Sequence, residues 1–172
     1  MLFHASISAY DPARVAAALA EMMRGEAQPL PPVPGSHIAF AGDAHGTAIE
    51  VYPAGKALVP GDAEVETTAV GDADRPTETH LALGVPLDEA ELRRIADREW
   101  WLCRVCDRGG VFHVVEIWVE NRTLIEALTP AMQAEYLAFA NPRSWEAKFA
   151  NLHGAVNDRR RIEPDARQGK RP

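Results

Sequence analysis

Cysteine is nearly absent from this chain, and so is any long apolar run. Two cysteines, Cys103 and Cys106, stand among 172 residues, too few for a disulfide framework. Their CxxC spacing invites a redox or zinc reading, but they lie in WLCRVCDR, which reads as a strand. Residues three apart on a strand point to opposite faces, so the thiols are expected to stay apart and to be structural. A reducing cytoplasm is the matching compartment. No stretch approaches the roughly 18 apolar residues of a membrane span. The opening MLFHASISAY has no basic region, apolar core or cleavage site, so no secretion signal is expected. Bases are scarce too: 18 Lys and Arg against 25 Asp and Glu leave a net charge of −7. Nucleic acid and anionic membrane both need a basic footprint, so neither is an expected partner.

What the chain does have is a repeat. TAIEVYPA (47–54) returns as TLIEALTPA (123–131), and one offset of 76 residues superimposes His4 on His80, His37 on His113 and Glu50 on Glu126. An internal duplication is the first pattern to look for. Here it duplicates side chains able to bind metal.

The elements follow the same order in each half. LFHASISA (2–9) alternates with the period of a half-buried strand, placing His4, Ser6 and Ser8 on one face. Asp11–Pro12 opens a helix whose face of Val15, Ala18, Leu19, Met22 and Met23 is apolar, and Gly25 ends it. The proline-rich stretch 28–36 predicts a loop or an edge strand. Strands follow at 37–43 and 47–54, and in the second of them Ala48, Glu50 and Tyr52 share a face. The acidic segment 55–78 is read as a linker, with room for a short strand at Glu64–Val70. THLALGV (79–85) then alternates. Asp88 and Glu91 have capping-box spacing before a helix, and strands are predicted at 101–108, 111–120 and 123–130. The expected organisation is a first βαβββ module (1–54), a linker (55–78), a second module (79–130), a helical extension (131–157) and a disordered tail (158–172).

In this reading the apolar face of each strand packs on the helix of its own half, and the His/Glu face lines a concave surface. Two glutamates facing one cavity are costly unless neutralised, because burial and like charge both raise carboxylate pKa values. A divalent cation shared by carboxylates and imidazoles removes that cost, and this donor set suits Ni, Zn, Co, Fe or Mn. Glu116 is set aside as a ligand, since it breaks the offset. His37, His113, Tyr52 and Trp118 are possible pocket-lining residues.

The duplicated βαβββ order, the first-strand histidines (His4, His80) and the closing-strand Ile–Glu pairs (Ile49–Glu50, Ile125–Glu126) resemble the vicinal oxygen chelate superfamily. That is the glyoxalase, bleomycin-resistance and ring-cleaving dioxygenase fold. The resemblance covers about residues 2–130 and implies an α+β fold: two modules forming a cup-shaped incomplete barrel, followed here by a helical C-terminal extension. It also implies one divalent metal held by His4, Glu50, His80 and Glu126. A His/Glu/His/Glu set most resembles the glyoxalase I type, which implies a metal-dependent lyase or isomerase acting on a small substrate with two neighbouring oxygens. Glu50 or Glu126 would move the proton, and a homodimer is expected. An Fe or Mn dioxygenase, or a non-catalytic protein that sequesters a small molecule, are the alternatives.

Overall fold

The computed structural model describes residues 2–60, 65–71 and 79–148. Strand β1 (His4–Ala9) leads into α1 (Pro12–Met22), whose N-cap Asp11 accepts a hydrogen bond from the Arg14 amide at 3.1 Å. Val15, Ala18, Leu19 and Met22 are buried, so the apolar face expected from the spacing is the packed one. Gly25 is required for the return: a Cβ there would lie 1.9 Å from the Phe40 carbonyl oxygen. Strands β2 (Glu26–Pro29), β3 (His37–Phe40) and β4 (Ala48–Pro53) complete a sheet of order β1-β4-β3-β2. The proline-bearing β2 lies at its edge, where a missing N–H breaks no inner ladder.

Segment 55–78 holds more structure than the single short strand expected of it. Strands β5 (Lys56–Pro60) and β6 (Val65–Ala69) pair antiparallel as a separate hairpin. Thr67 and Thr68 favour extended backbone, and Gly55, at a φ of 84°, turns the chain into the hairpin.

The second half repeats the first: β7 (Leu81–Gly84), α2 (Glu89–Glu99), β8 (Leu102–Asp107), β9 (His113–Val119) and β10 (Thr123–Leu128), in sheet order β7-β10-β9-β8. The capping box on α2 forms as spaced, with the Glu91 amide on Asp88 at 2.9 Å and the Asp88 amide on Glu91 at 3.0 Å. The closing strand runs parallel to the first in both modules, with Ser6 opposite Glu50 and Ala82 opposite Glu126. These two registers keep the 76-residue offset. The antiparallel hairpins do not. His37 lies opposite Val51 in the first half, whereas the neighbour of the corresponding Ala127 is Val115. His37 and His113 therefore share an offset in sequence but not a position in the fold, because the two hairpin connections differ in length.

Among the described residues no strand pair joins the two four-stranded sheets, so no closed barrel forms. The halves meet through their helices instead. Arg14 pairs with Glu99, Glu21 with Arg94 and Arg98, and Arg24 with Glu91, which sets α1 and α2 antiparallel. Exposed pairs of this kind contribute little, but Glu99 is buried and bonded by both Arg14 and Arg98. At the other end the Glu120 carboxylate accepts the Tyr10 and Asp11 amides at 2.6 and 2.8 Å. One continuous apolar core holds Leu19, Met22 and Ile49 from the first half with Leu92, Ile95 and Ile117 from the second.

Helix α3 (Pro130–Phe139), capped by Thr129, and a further helical stretch at 142–148 follow β10. The rest of the expected extension and the expected disordered tail at 158–172 lie outside the described residues. No described helix is long and apolar enough to cross a membrane.

Candidate functional site

On the first sheet the polar face is held by Glu50. Strands β1 and β4 place Ser6 beside it, and alternation along β4 places Tyr52 on the same side. The Ser6 hydroxyl donates to Glu50 Oε2 at 3.0 Å and the Tyr52 hydroxyl to the same oxygen at 2.9 Å. Burial raises the Tyr52 pKa, and the hydrogen bond to Glu50 raises it further, so the phenol stays a donor. A cavity of about 320 Å³ opens here, walled by Ser6, Ser8, Tyr52 and Thr123, with Lys56 and Thr67 of the β5–β6 hairpin above.

The second sheet carries the same closing glutamate in different company. Glu126 lies opposite Glu116, which lies opposite Arg104. A buried Glu116 beside a half-buried Glu126 needs a counter-charge, and Arg108 supplies it. Its Nε donates to Glu126 Oε1 at 2.9 Å, and its Nη2 contacts that same oxygen and Glu116 Oε1. Arg104 Nε and Trp118 Nε1 donate to the other Glu116 oxygen at 2.6 and 3.2 Å. Burial by itself pushes the Glu116 pKa up, but hydrogen bonds from Arg108, Arg104 and Trp118 outweigh it and bring it down to about 2.

Helix α3 then folds across this face. Gln133 Nε2 donates to the Leu128 and Val85 carbonyls at 2.9 and 3.0 Å. Phe112 packs edge-on against Tyr136, and Phe139 bridges Phe112 and Trp145. Lys148 Nζ donates to the Gly109 carbonyl at 2.7 Å. Beneath the arm lies a cavity of about 460 Å³ containing His80 and Glu126.

His113 ties α3 to β9: its amide donates to Glu135, and its Nδ1 is 2.9 Å from the same oxygen. That hydrogen bond, followed by the charges of Glu135, Asp107 and Glu89, raises the His113 pKa above 6.5 and lowers that of Glu135. A raised folded-state pKa gives a contribution that is fully present below the unfolded value and lost as pH rises through the folded one. Amide exchange along α3 is therefore expected to quicken as pH rises from about 6.5 into the alkaline range, beyond the intrinsic rate change. His113→Gln should remove that extra dependence.

The four expected metal ligands are not brought together within one chain. His4 is exposed at the start of β1, beside Ala48. Glu50 is bonded to Ser6 and Tyr52, whereas His80 and Glu126 share the other cavity. Among the described residues no three His, Cys, Asp or Glu side chains are grouped to hold an ion. A guanidinium already neutralises Glu126. The arrangement in a single chain thus does not fit the expected metal centre.

Of the residues expected to line a pocket, Tyr52 does so in the first cavity. Trp118 bonds Glu116, His113 holds Glu135, and the buried His37 Nδ1 has no hydrogen-bond partner among the described residues. Cys103 and Cys106 lie opposite Ile117 and Val114, on opposite faces, and are free thiols. Sequence reasoning missed Arg108, Arg104 and the part played by Glu116. The available signal was alternation, since Arg104, Cys106 and Arg108 share one face of WLCRVCDR.

No family model matches the chain, and no curated protein matches it. Solved structures similar in shape include a trypanothione-dependent glyoxalase I of Leishmania major, 18% identical, covering 90% of this chain and 98% of that one with a TM-score of 0.45. A possible glyoxalase from Bacillus cereus is 11% identical over 74% of this chain and 96% of that one, TM-score 0.44. The fosfomycin resistance protein FosX of Mesorhizobium loti is 15% identical over 80% and 97%, TM-score 0.44. The strand order and the parallel β1–β4 and β7–β10 registers, present in both halves, give this chain a tandem βαβββ fold.

Proposed function

We propose that the protein binds a small polar molecule in the cavity walled by Ser6, Ser8, Tyr52 and Thr123, with Glu50 holding the Ser6 and Tyr52 side chains of that wall in place. The observation that carries this reading is the pair of donors on one carboxylate oxygen. Ser6 and Tyr52, both in the cavity wall, donate to the same Oε2, which fixes the two wall side chains. Wall groups ordered before binding spare the complex that entropic cost. The hydroxyls of Ser8, Thr67 and Thr123 along the walls suit a ligand bearing hydroxyl or N–H groups. A screen of polyols, hydroxy acids and amino acids by amide chemical-shift perturbation tests it. Binders are expected to shift Ser6, Ser8 and Tyr52, and Glu50→Ala should weaken them by about tenfold or more. Binders that leave those amides unmoved would remove the reading.

A metal-dependent lyase or isomerase of glyoxalase type is the second reading. It is favoured by the identical register of Glu50 and Glu126 and by the shared cavity of His80 and Glu126. Since one chain does not group the four side chains, this reading needs a second copy to complete the set and needs Arg108 to release Glu126. It expects a homodimer whose metal content depends on His4, Glu50, His80 and Glu126 alike.

A further inference from the structure

The cavity under α3 is separate from the Glu50 site and has a chemistry of its own. Its walls are aromatic: Phe112 from the turn just before β9, Tyr136 and Phe139 from α3, and Trp145 from the stretch that follows. The rings pack in a chain with centroid separations of 5.1, 5.9 and 5.7 Å, which holds the wall in shape without a ligand. Its volume of about 460 Å³ suits a small organic molecule.

Glu126 is the one carboxylate among the lining side chains. Both of its contacts with Arg108 fall on Oε1, so Oε2 keeps acceptor capacity at a residue facing the cavity. Arg108 is not part of the lining, and its charge is shared between Glu126 and Glu116. A ligand entering here meets aromatic faces around a carboxylate oxygen. Aromatic faces attract cations, and a carboxylate accepts strongly from an N–H⁺ donor.

We propose that this cavity is a binding site for an arylalkylamine, with the ring against Tyr136, Phe139 and Trp145 and the ammonium donating to Glu126. The C-terminal arm thereby acquires a use: it builds three of the four aromatic walls over a sheet face that the first module leaves open.

Titration of the full chain with 2-phenylethylamine, followed by calorimetry and tryptophan fluorescence, tests the proposal, with 2-phenylethanol as the uncharged counterpart. The amine is expected to bind at least about tenfold more tightly than the alcohol. Glu126→Gln should abolish that preference. Trp145→Ala, at a half-exposed ring outside the buried core, should weaken the amine about fivefold or more. Equal binding of amine and alcohol, amine binding untouched by both substitutions, or no amine binding to the wild-type chain would each overturn it. The Glu50→Ala protein should bind the amine normally, which separates this site from the first.

Discussion

Replacing Arg108 by alanine is expected to cost about 2–4 kcal/mol of stability near pH 7, measured by urea denaturation. Removing one partner of a buried ion pair costs about 3–5 kcal/mol because the remaining charge is stranded. The side chain of Arg108 is 30% exposed while those of Glu116 and Glu126 are 7% and 12% exposed, so solvent screening trims that figure. The sign of the pH dependence follows from Glu116. Its folded pKa of about 2 lies below the ordinary 4.5, so its stabilising contribution is present above 4.5 and fades as pH falls towards 2. Without Arg108 a main opponent of burial is gone and the carboxyl takes up its proton at higher pH. The difference between wild type and Arg108→Ala should therefore shrink near pH 3. A difference of the same size at both pH values would mean that Arg108 stabilises by packing its stem rather than by its charge.

Leu19→Ala should cost about 2–5 kcal/mol, the range for emptying a fully buried leucine site. The instructive part is where the loss is seen. Leu19 is completely buried on α1, while all four tryptophans, at positions 100, 101, 118 and 145, belong to the second half. Because the apolar core is continuous between the modules, tryptophan fluorescence should report the full loss in a single transition. A fluorescence transition that stays at the wild-type midpoint would show the modules unfolding independently, with α1–α2 packing too weak to couple them.

The local signals in the sequence carried the elements well. Asp11–Pro12, the Asp88/Glu91 box and the alternation in 2–9 each depend on neighbours within four residues, and each formed as spaced. The repeat of Glu50 at Glu126 also survived, because parallel pairing of first and last strands kept one register in both halves. What the repeat could not convey was the divergence across the antiparallel hairpins. Glu50 faces Ile38, whereas Glu126 faces Glu116, and that exchange of an isoleucine for a glutamate calls for the guanidinium of Arg108. Such a contact depends on register between three strands, which one sequence does not print. The arm was legible as helix but not as a cover, since its placement rests on Gln133 meeting Val85 and on Tyr136 and Phe139 meeting Phe112, all distant in sequence. His37 and His113 teach the opposite lesson: an exact offset in sequence marked no shared place in the fold.

The most direct test of the account is elemental analysis of the protein purified without chelators, combined with its mass in solution. The structure of the chain, with Glu50 tied to Ser6 and Tyr52 and Glu126 tied to Arg108, leads us to expect no stoichiometric divalent metal, and no change in metal content on Glu126→Gln or His80→Ala. One bound ion per chain in a dimer, lost in either variant while the fold is kept, would contradict it and establish the metal-dependent reading instead.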